Sequence, residues 1–350
     1  MRSIRYCMML VLATGLFGSA CIKKVTVNDV LAVQPPLTTE DLINRINAYS
    51  EVNTFSAQAE NVIVRNYFTG VGTKADEFPA AGGLIRFQRP ENTRLRVTFL
   101  GKKIADMVSD GQEFRLAIFY PDDKRRYIRG SNLKEIERMN IEELQEKKDP
   151  RLKEAGGLVN MRPQHITDSF LIKPIAPEAR HDAFREELRN AEPDTRPGKK
   201  NRMVEKTYYV LYVIEHGENG QAKLRRKFWF DRTLTDTPLV RQQTFENGEG
   251  KLASDVTYSD WLAVENATIK LPGRVIIDRR SDGYRLEIEL KHDSVEINAA
   301  LPDPTFKLPN DDKLEEIDLD APRNAQPLIA PSRSPSERQP KIRNANRQLN

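Results

Sequence analysis

The chain has 350 residues, 39% of them hydrophobic and 30% charged, with Lys+Arg 55 against Asp+Glu 51. That balance excludes a polytopic membrane protein and a collagen-like fibre, and 14 Phe, 10 Tyr and 2 Trp are too many for a wholly disordered chain. The net charge of +4, half of it from Arg2 and Arg5 at the very start, makes no electrostatic case for binding nucleic acid.

Residues 1–21 read MRSIRYCMMLVLATGLFGSAC. A basic start leads into an apolar run from Tyr6 to Phe17 and then to Gly18, Ser19 and Ala20. This is the pattern of a secretory signal, with an apolar run too short to stay in the bilayer as a spanning helix. Both cysteines, Cys7 and Cys21, lie here, so the body from Ile22 onward holds neither a disulfide nor a Cys-ligated zinc. His165, His181, His216 and His292 show no metal-ligand spacing, and neither a metal nor a cofactor is expected.

Small residues directly before Cys21 resemble the lipobox of bacterial lipoproteins, with Gly18 where that motif usually has Leu. The resemblance implies cleavage before Cys21, diacylglycerol on its thiol, and a further acyl chain such as palmitate. The plainer alternative is an ordinary cleaved signal with an incidental cysteine nearby. Two or three acyl chains anchor firmly where one binds marginally, at ~0.8 kcal/mol per buried CH₂. Ile22 follows the cysteine where an Asp would imply inner-membrane retention, so the implied location is the outer membrane, facing the periplasm.

After the anchor, a tether runs to Leu37 and passes through Pro35-Pro36. Thr38 with Asp41 three residues on predicts a capped helix, and Leu42, Ile43, Ile46 and Tyr49 recur on one of its faces. From Phe55 the apolar period changes to two. Strands are expected at 82–89, 93–99, 103–109, 113–120 and 125–129, separated by Pro90-Glu91-Asn92, Leu100-Gly101, Asp110-Gly111 and Pro121-Asp122. Short strands joined by tight turns make an antiparallel meander. Between 131 and 205, Asn132–Lys148 and Pro177–Asn190 favour helix, and 191–202 reads as a flexible loop. Strands resume at 207–215, 224–231, 238–246, 252–261, 267–278, 283–290 and 293–297. Leu271-Pro272-Gly273 reads as a break or bulge. The expected fold is α+β, mainly β: a curled antiparallel sheet of roughly 11–12 strands, an incomplete barrel lidded by helices. One domain over 38–310 is expected, with a disordered Pro/Ser/Arg-rich tail over 311–350.

The runs GGLIRFQRPEN at 82–92 and MVSDGQEF at 107–114, with Tyr120-Pro121 after them, resemble the LolA/LolB superfamily of lipoprotein carriers and acceptors. That resemblance implies an apolar cavity for acyl chains, with Ile85, Phe87, Leu95, Val97, Phe228 and Phe230 as candidate lining. It implies that Arg89, of the Arg-Pro pair, bonds the lid; the alternative is an arginine that only solvates a strand end. It also implies membrane contact by Phe99 and Leu100 at a hairpin tip beside Lys102 and Lys103, against an ordinary tight turn whose Leu folds back. The partners implied are acyl chains of lipoproteins or lipids, the membrane, and a periplasmic carrier or envelope protein.

No G-x-S-x-G, P-loop or G-x-G-x-x-G after a strand occurs. Glu287 and Glu289 alternate as a solvated strand face does, Asp106 and Asp110 flank a strand, and in Phe228-Trp229-Phe230 the two Phe face inward. The sequence therefore points to a non-catalytic lipid binder. The alternative is an envelope scaffold using the same fold to hold a protein partner.

Overall fold

The computed structural model describes Val27 and residues 29–66, 76–77, 81–122, 125–132, 161–175, 181–199, 201–217, 219–246, 250–265 and 267–318. Cys21, the segment Asn132–Lys148 beyond its first residue, and the tail beyond 318 lie outside them. Helix α1 (Thr39–Ala48) starts where the capping pattern places it. The Thr38 hydroxyl accepts from the Asp41 N–H at 3.1 Å, and the Asp41 carboxylate accepts from the Thr38 N–H at 2.7 Å. Leu42, Ile46 and the following Tyr49 are buried.

One sheet carries the rest. Along its hydrogen-bonded order the long strands are β9 (His181–Pro193), β10 (Met203–His216), β11 (Ala222–Asp231), β12 (Leu239–Phe245), β13 (Leu252–Ala263), β14 (Lys270–Arg279) and β15 (Tyr284–Leu290), then β2 (Thr54–Asn66), β4 (Ala81–Gln88), β5 (Asn92–Phe99), β6 (Lys102–Asp110), β7 (Glu113–Ile118) and β8 (Arg126–Ser131). All neighbours in that series are antiparallel. The two halves of the chain join where β15 pairs with β2, Leu286 opposite Val64 and Ile288 opposite Val62. Four short strands extend the ladder: β1 (Asp29–Val30), parallel on β10; β3 (Asp76–Glu77) and β16 (Glu296–Ile297), both on β2; and β17 (Glu316–Asp318), parallel on β8. Among the described residues nothing bonds β9 to β8 or β17, so the sheet curls without closing, and accumulated strand twist supplies the curl. A second helix, α2 (Pro163–Phe170), lies against β5, β6 and β14.

The structure corrects four expectations. Pro177–Asn190 is not helical where it is described: His181–Pro193 pairs residue by residue with β10, from Met203 opposite Pro193 to Glu215 opposite His181. Ala, Arg, Glu and Leu favour helix intrinsically, but the free edge of β10 offers thirteen partners, and that pairing overrides propensity. The expected loop at 191–202 begins only after Pro193 and is closed where the Asp194 N–H donates to Arg202 O at 2.8 Å. The strand through Leu271-Pro272-Gly273 does not break; the irregularity sits opposite, where Asp260 takes φ 57 and a Cβ on Gly273 would meet its carbonyl oxygen at 2.5 Å. Order also runs past 310, because the C-terminal segment crosses the convex face. There Thr305 O accepts from Arg94 at 2.8 Å, Leu308 O accepts from the Tyr127 hydroxyl at 2.5 Å, and β17 covers the β8 edge. That cover explains why Asp106, on the outer face and paired with Arg94 at 2.7 Å, is only 2% exposed.

Candidate functional site

Strand alternation sorts the side chains into two faces. The concave face is largely apolar: Phe55 opposite Phe87, then Ile85, Leu95, Met107, Leu116 and Ile128 in successive cross-strand register. On the other arm Phe228 and Phe230 face Leu211 and Tyr209. Ile85, Phe87, Leu95, Phe228 and Phe230 are buried in one continuous cluster, and Val97 is half-buried against it. The structure thus brings the six candidate lining residues to a single apolar interior.

That interior is filled by α2, with Leu42 and Ile46 of α1 in the same cluster. Phe170 stacks on Phe87 with ring centres 5.1 Å apart and lies 5.7 Å from Phe55. Ile166 is fully buried, the Tyr258 hydroxyl donates to Ser169 O at 2.9 Å, and the Thr93 and Thr167 hydroxyls bond to each other. His165 Nδ1 lies 2.8 Å from the Tyr284 hydroxyl. Burial of its ring raises the Tyr258 phenol well above its usual value, so it stays a donor.

The strap that follows α2, residues 171–175, is held from three directions. Arg89, at the end of β4, donates to Val52 O at 2.9 Å, Tyr49 O at 3.0 Å and Ile172 O at 3.1 Å, tying the strand end, the α1 exit and the strap together. Arg226 donates to Lys173 O at 2.6 Å and Pro174 O at 3.0 Å. Asn47 of α1 donates to Ile175 O at 3.2 Å and accepts from its N–H at 2.7 Å. Burial lowers the pKa of both arginines, that of Arg226 to about 10. Asp168 of α2 is raised by burial, although Lys173 ion-pairs with it at 3.0 Å and reaches Glu91 at 3.3 Å.

Phe99 and Leu100 sit at the opposite end of the strands from Arg89, in the β5–β6 hairpin. Leu100 (φ 48) and Gly101 (φ 77) form its two central residues, a type I′ geometry. Leu100 is 88% exposed and Phe99 42%, so the leucine does not fold back. Tyr120, 60% exposed, adds to this apolar tip, and Lys103 lies over the Phe119 ring at 4.6 Å.

Sequence reasoning missed α2, Asn47 and Arg226. Arg226 was within reach of the alternation argument: two residues before Phe228, it had to share the inward face. On the convex face, a hollow of about 260 Å³ is lined by Leu252, Ala253, Asp255, Asp278, Arg280 and Ser281. Its mixed, charged lining does not suit an acyl chain. No group of three or more metal-ligating side chains occurs among the described residues, and no helix among them is long and apolar enough to cross a membrane.

No protein-family model and no curated protein matches the chain. Among solved structures it is similar to a LolA superfamily protein from Nitrosomonas europaea, at 12% identity and TM-score 0.37, over 78% of this chain and 99% of that one. It is also similar to a DUF1329 family protein from Desulfovibrio piger, at 12% identity and TM-score 0.38, over 77% and 95%. A third is the Mycobacterium tuberculosis lipoprotein LppX, at 9% identity and TM-score 0.21, over 74% and 97%. The architecture rests on this chain's own strand pairing.

Proposed function

We propose that this protein is a lipid-anchored, non-catalytic acyl-chain carrier of the LolA/LolB kind, working at the periplasmic face of the outer membrane. The observation that carries the reading is the nature of the filling: the apolar interior of an unclosed sheet is occupied by a short helix whose strap is held by side chains bonded to main-chain carbonyls. Such a plug is exchangeable. An acyl chain entering from water gains the same apolar surroundings that Ile166 and Phe170 now enjoy, at roughly 25 cal/mol per Å² of surface buried. Release follows when the bilayer offers the chain equal burial and the plug returns. In this scheme Cys21 carries the anchor, Arg89 holds the closed state, and Phe99 with Leu100 meets a lipid surface, helped by the adjacent lysines.

A second reading, an envelope scaffold with a permanently solid interior, is favoured by the tight aromatic packing of Phe55, Phe87 and Phe170. Native mass spectrometry and fluorescent fatty-acid titration of the full chain carrying Cys21→Ser separate the two. Co-purified acyl ligand, or saturable uptake that quickens amide exchange in α2, is the expected result. A ligand-free protein that takes up no fatty acid refutes the carrier and leaves the scaffold.

A further inference from the structure

Four successive carbonyls of the strap, from Ile172 to Ile175, each accept from a side chain brought by another element: Arg89 from β4, Arg226 from β11 and Asn47 from α1. Two of those three are arginines, and neither is ion-paired with a carboxylate among the described residues. Asp168, the acid whose field reaches both, is bonded to Lys173 instead. A guanidinium is a fixed cation whose planar fork matches the two oxygens of a carboxylate or phosphate, and such charged pairs are about twice as strong as bonds to neutral acceptors. Here both forks are spent on neutral carbonyls while burial works against their charge.

Their position is as telling as their partners. Arg226 shares the concave face with Phe228 and stands over its ring at 5.2 Å, and Arg89 follows Phe87 by two residues. Lys173 and Pro174, which cover Arg226, are exposed. A pair of unneutralised cations therefore sits at the seam between water and the apolar interior, under a strap that a solute can reach. An amphiphile lying with its chain among Phe87 and Phe228 would place its head at these two groups.

We infer that Arg89 and Arg226 form an anion-binding pair for the head of the acyl cargo, and that the anion takes the two guanidinia from the strap carbonyls, so that head recognition and opening of the plug are one event. This deepens the carrier reading and rests on it. The ligand class is a single-chain or acylated molecule bearing a phosphate or carboxylate next to its chain. An uncharged head breaks the same arginine–carbonyl bonds and replaces them with nothing of equal strength.

The test compares lauroyl-lysophosphatidic acid with monolauroylglycerol, which differ only by the phosphate, and glycerol phosphate as the head without the chain, on the full chain carrying Cys21→Ser. The expected result is at least a tenfold lower Kd for the phosphate amphiphile than for monolauroylglycerol, with only weak competition by glycerol phosphate. Adding Arg89→Gln and Arg226→Gln should bring the two Kd values together. Arg89→Lys and Arg226→Lys, which keep the charge but lose the fork, should retain part of the difference and serve if the Gln variant does not fold. The Leu171 and Ile175 amides, now bonded to Thr167 O and Asn47 Oδ1, should exchange faster with the phosphate amphiphile bound. Equal Kd values in the parent protein, a difference that survives the folded Gln variant, or strap amides that stay protected when the phosphate amphiphile is bound would each overturn the pair while leaving the carrier standing. Binding of glycerol phosphate without either amphiphile would keep the anion pair, as a site for free phosphate esters, and remove the carrier. Binding of none of the three would remove both.

Discussion

Phe170→Ala tests where the interior packing energy resides. The ring is 9% exposed, stacks on Phe87 at 5.1 Å and approaches Phe55 at 5.7 Å, so it is the main apolar attachment of α2 to the sheet besides Ile166. Truncating a buried Phe to Ala typically costs about 3–5 kcal/mol. If α2 docks as its own cooperative unit, the cost falls on docking alone, which weakens by roughly two to four orders of magnitude at 1.4 kcal/mol per decade. Strands β2, β4 and β5 then stay protected while the amides of α2 exchange. A fatty acid that competes with α2 should also bind more tightly, because more of the protein is already open. Native-state hydrogen exchange in rising urea, with a fluorescent fatty-acid titration, reads both effects. A drop of the global unfolding free energy by the whole ~3–5 kcal/mol, with α2 exchanging only with the strands and no gain in fatty-acid affinity, would show that α2 is no separate unit.

Leu100→Asn should hold or raise stability, by up to ~1 kcal/mol, because Asn tolerates the left-handed geometry at φ 48 better than Leu does; binding to anionic vesicles should fall, as co-sedimentation will show. A clear loss of melting temperature would mean that the leucine packs on the sheet. Gly273→Ala should destabilise by about 1–3 kcal/mol in urea melts, since the new Cβ would lie 2.5 Å from the Asp260 carbonyl oxygen, which is backbone and cannot swing aside. Arg196→Gln should act only above acid pH. The Arg196 hydrogen bond holds the Asp194 carboxyl at about 2 against its usual 3.8. A folded pKa below the unfolded one gives stability that is complete above the usual value and is lost as pH falls through about 2. The variant's lowered denaturation midpoint at neutral pH should therefore close toward the parent's near pH 2, and a gap that persists there would contradict the assignment.

Much of the frame was legible because its signals are local. The Thr38–Asp41 capping box, the period-two runs from Phe55 to Ile118 and from Thr207 to Leu290, and the turn residues between them each follow from chain chemistry within a few residues. Cross-strand neighbours inherit their face from the same alternation, which is why Phe228 and Phe230 were identifiable as interior residues from the sequence. The errors fell where the deciding partner is distant. His181–Pro193 has a helix-former's composition and is a strand because β10 has an edge to fill, and the segment past 310 is ordered because the convex face of β6 to β8 receives it.

Local chain chemistry suffices for the signal-like start, a body free of cysteine, a run of antiparallel strands and most of the side chains that turn inward. It took long-range packing to put α2 in the interior, to latch the strap with Arg89, Asn47 and Arg226, and to leave the Leu100 side chain standing out from its turn. The physical reason is sequence separation. Arg226 lies 53 positions from the Lys173 carbonyl it holds, and Arg89 lies 83 from Ile172, so no local period or motif encodes those contacts. They exist because the curl of the sheet brings both arginines to one rim.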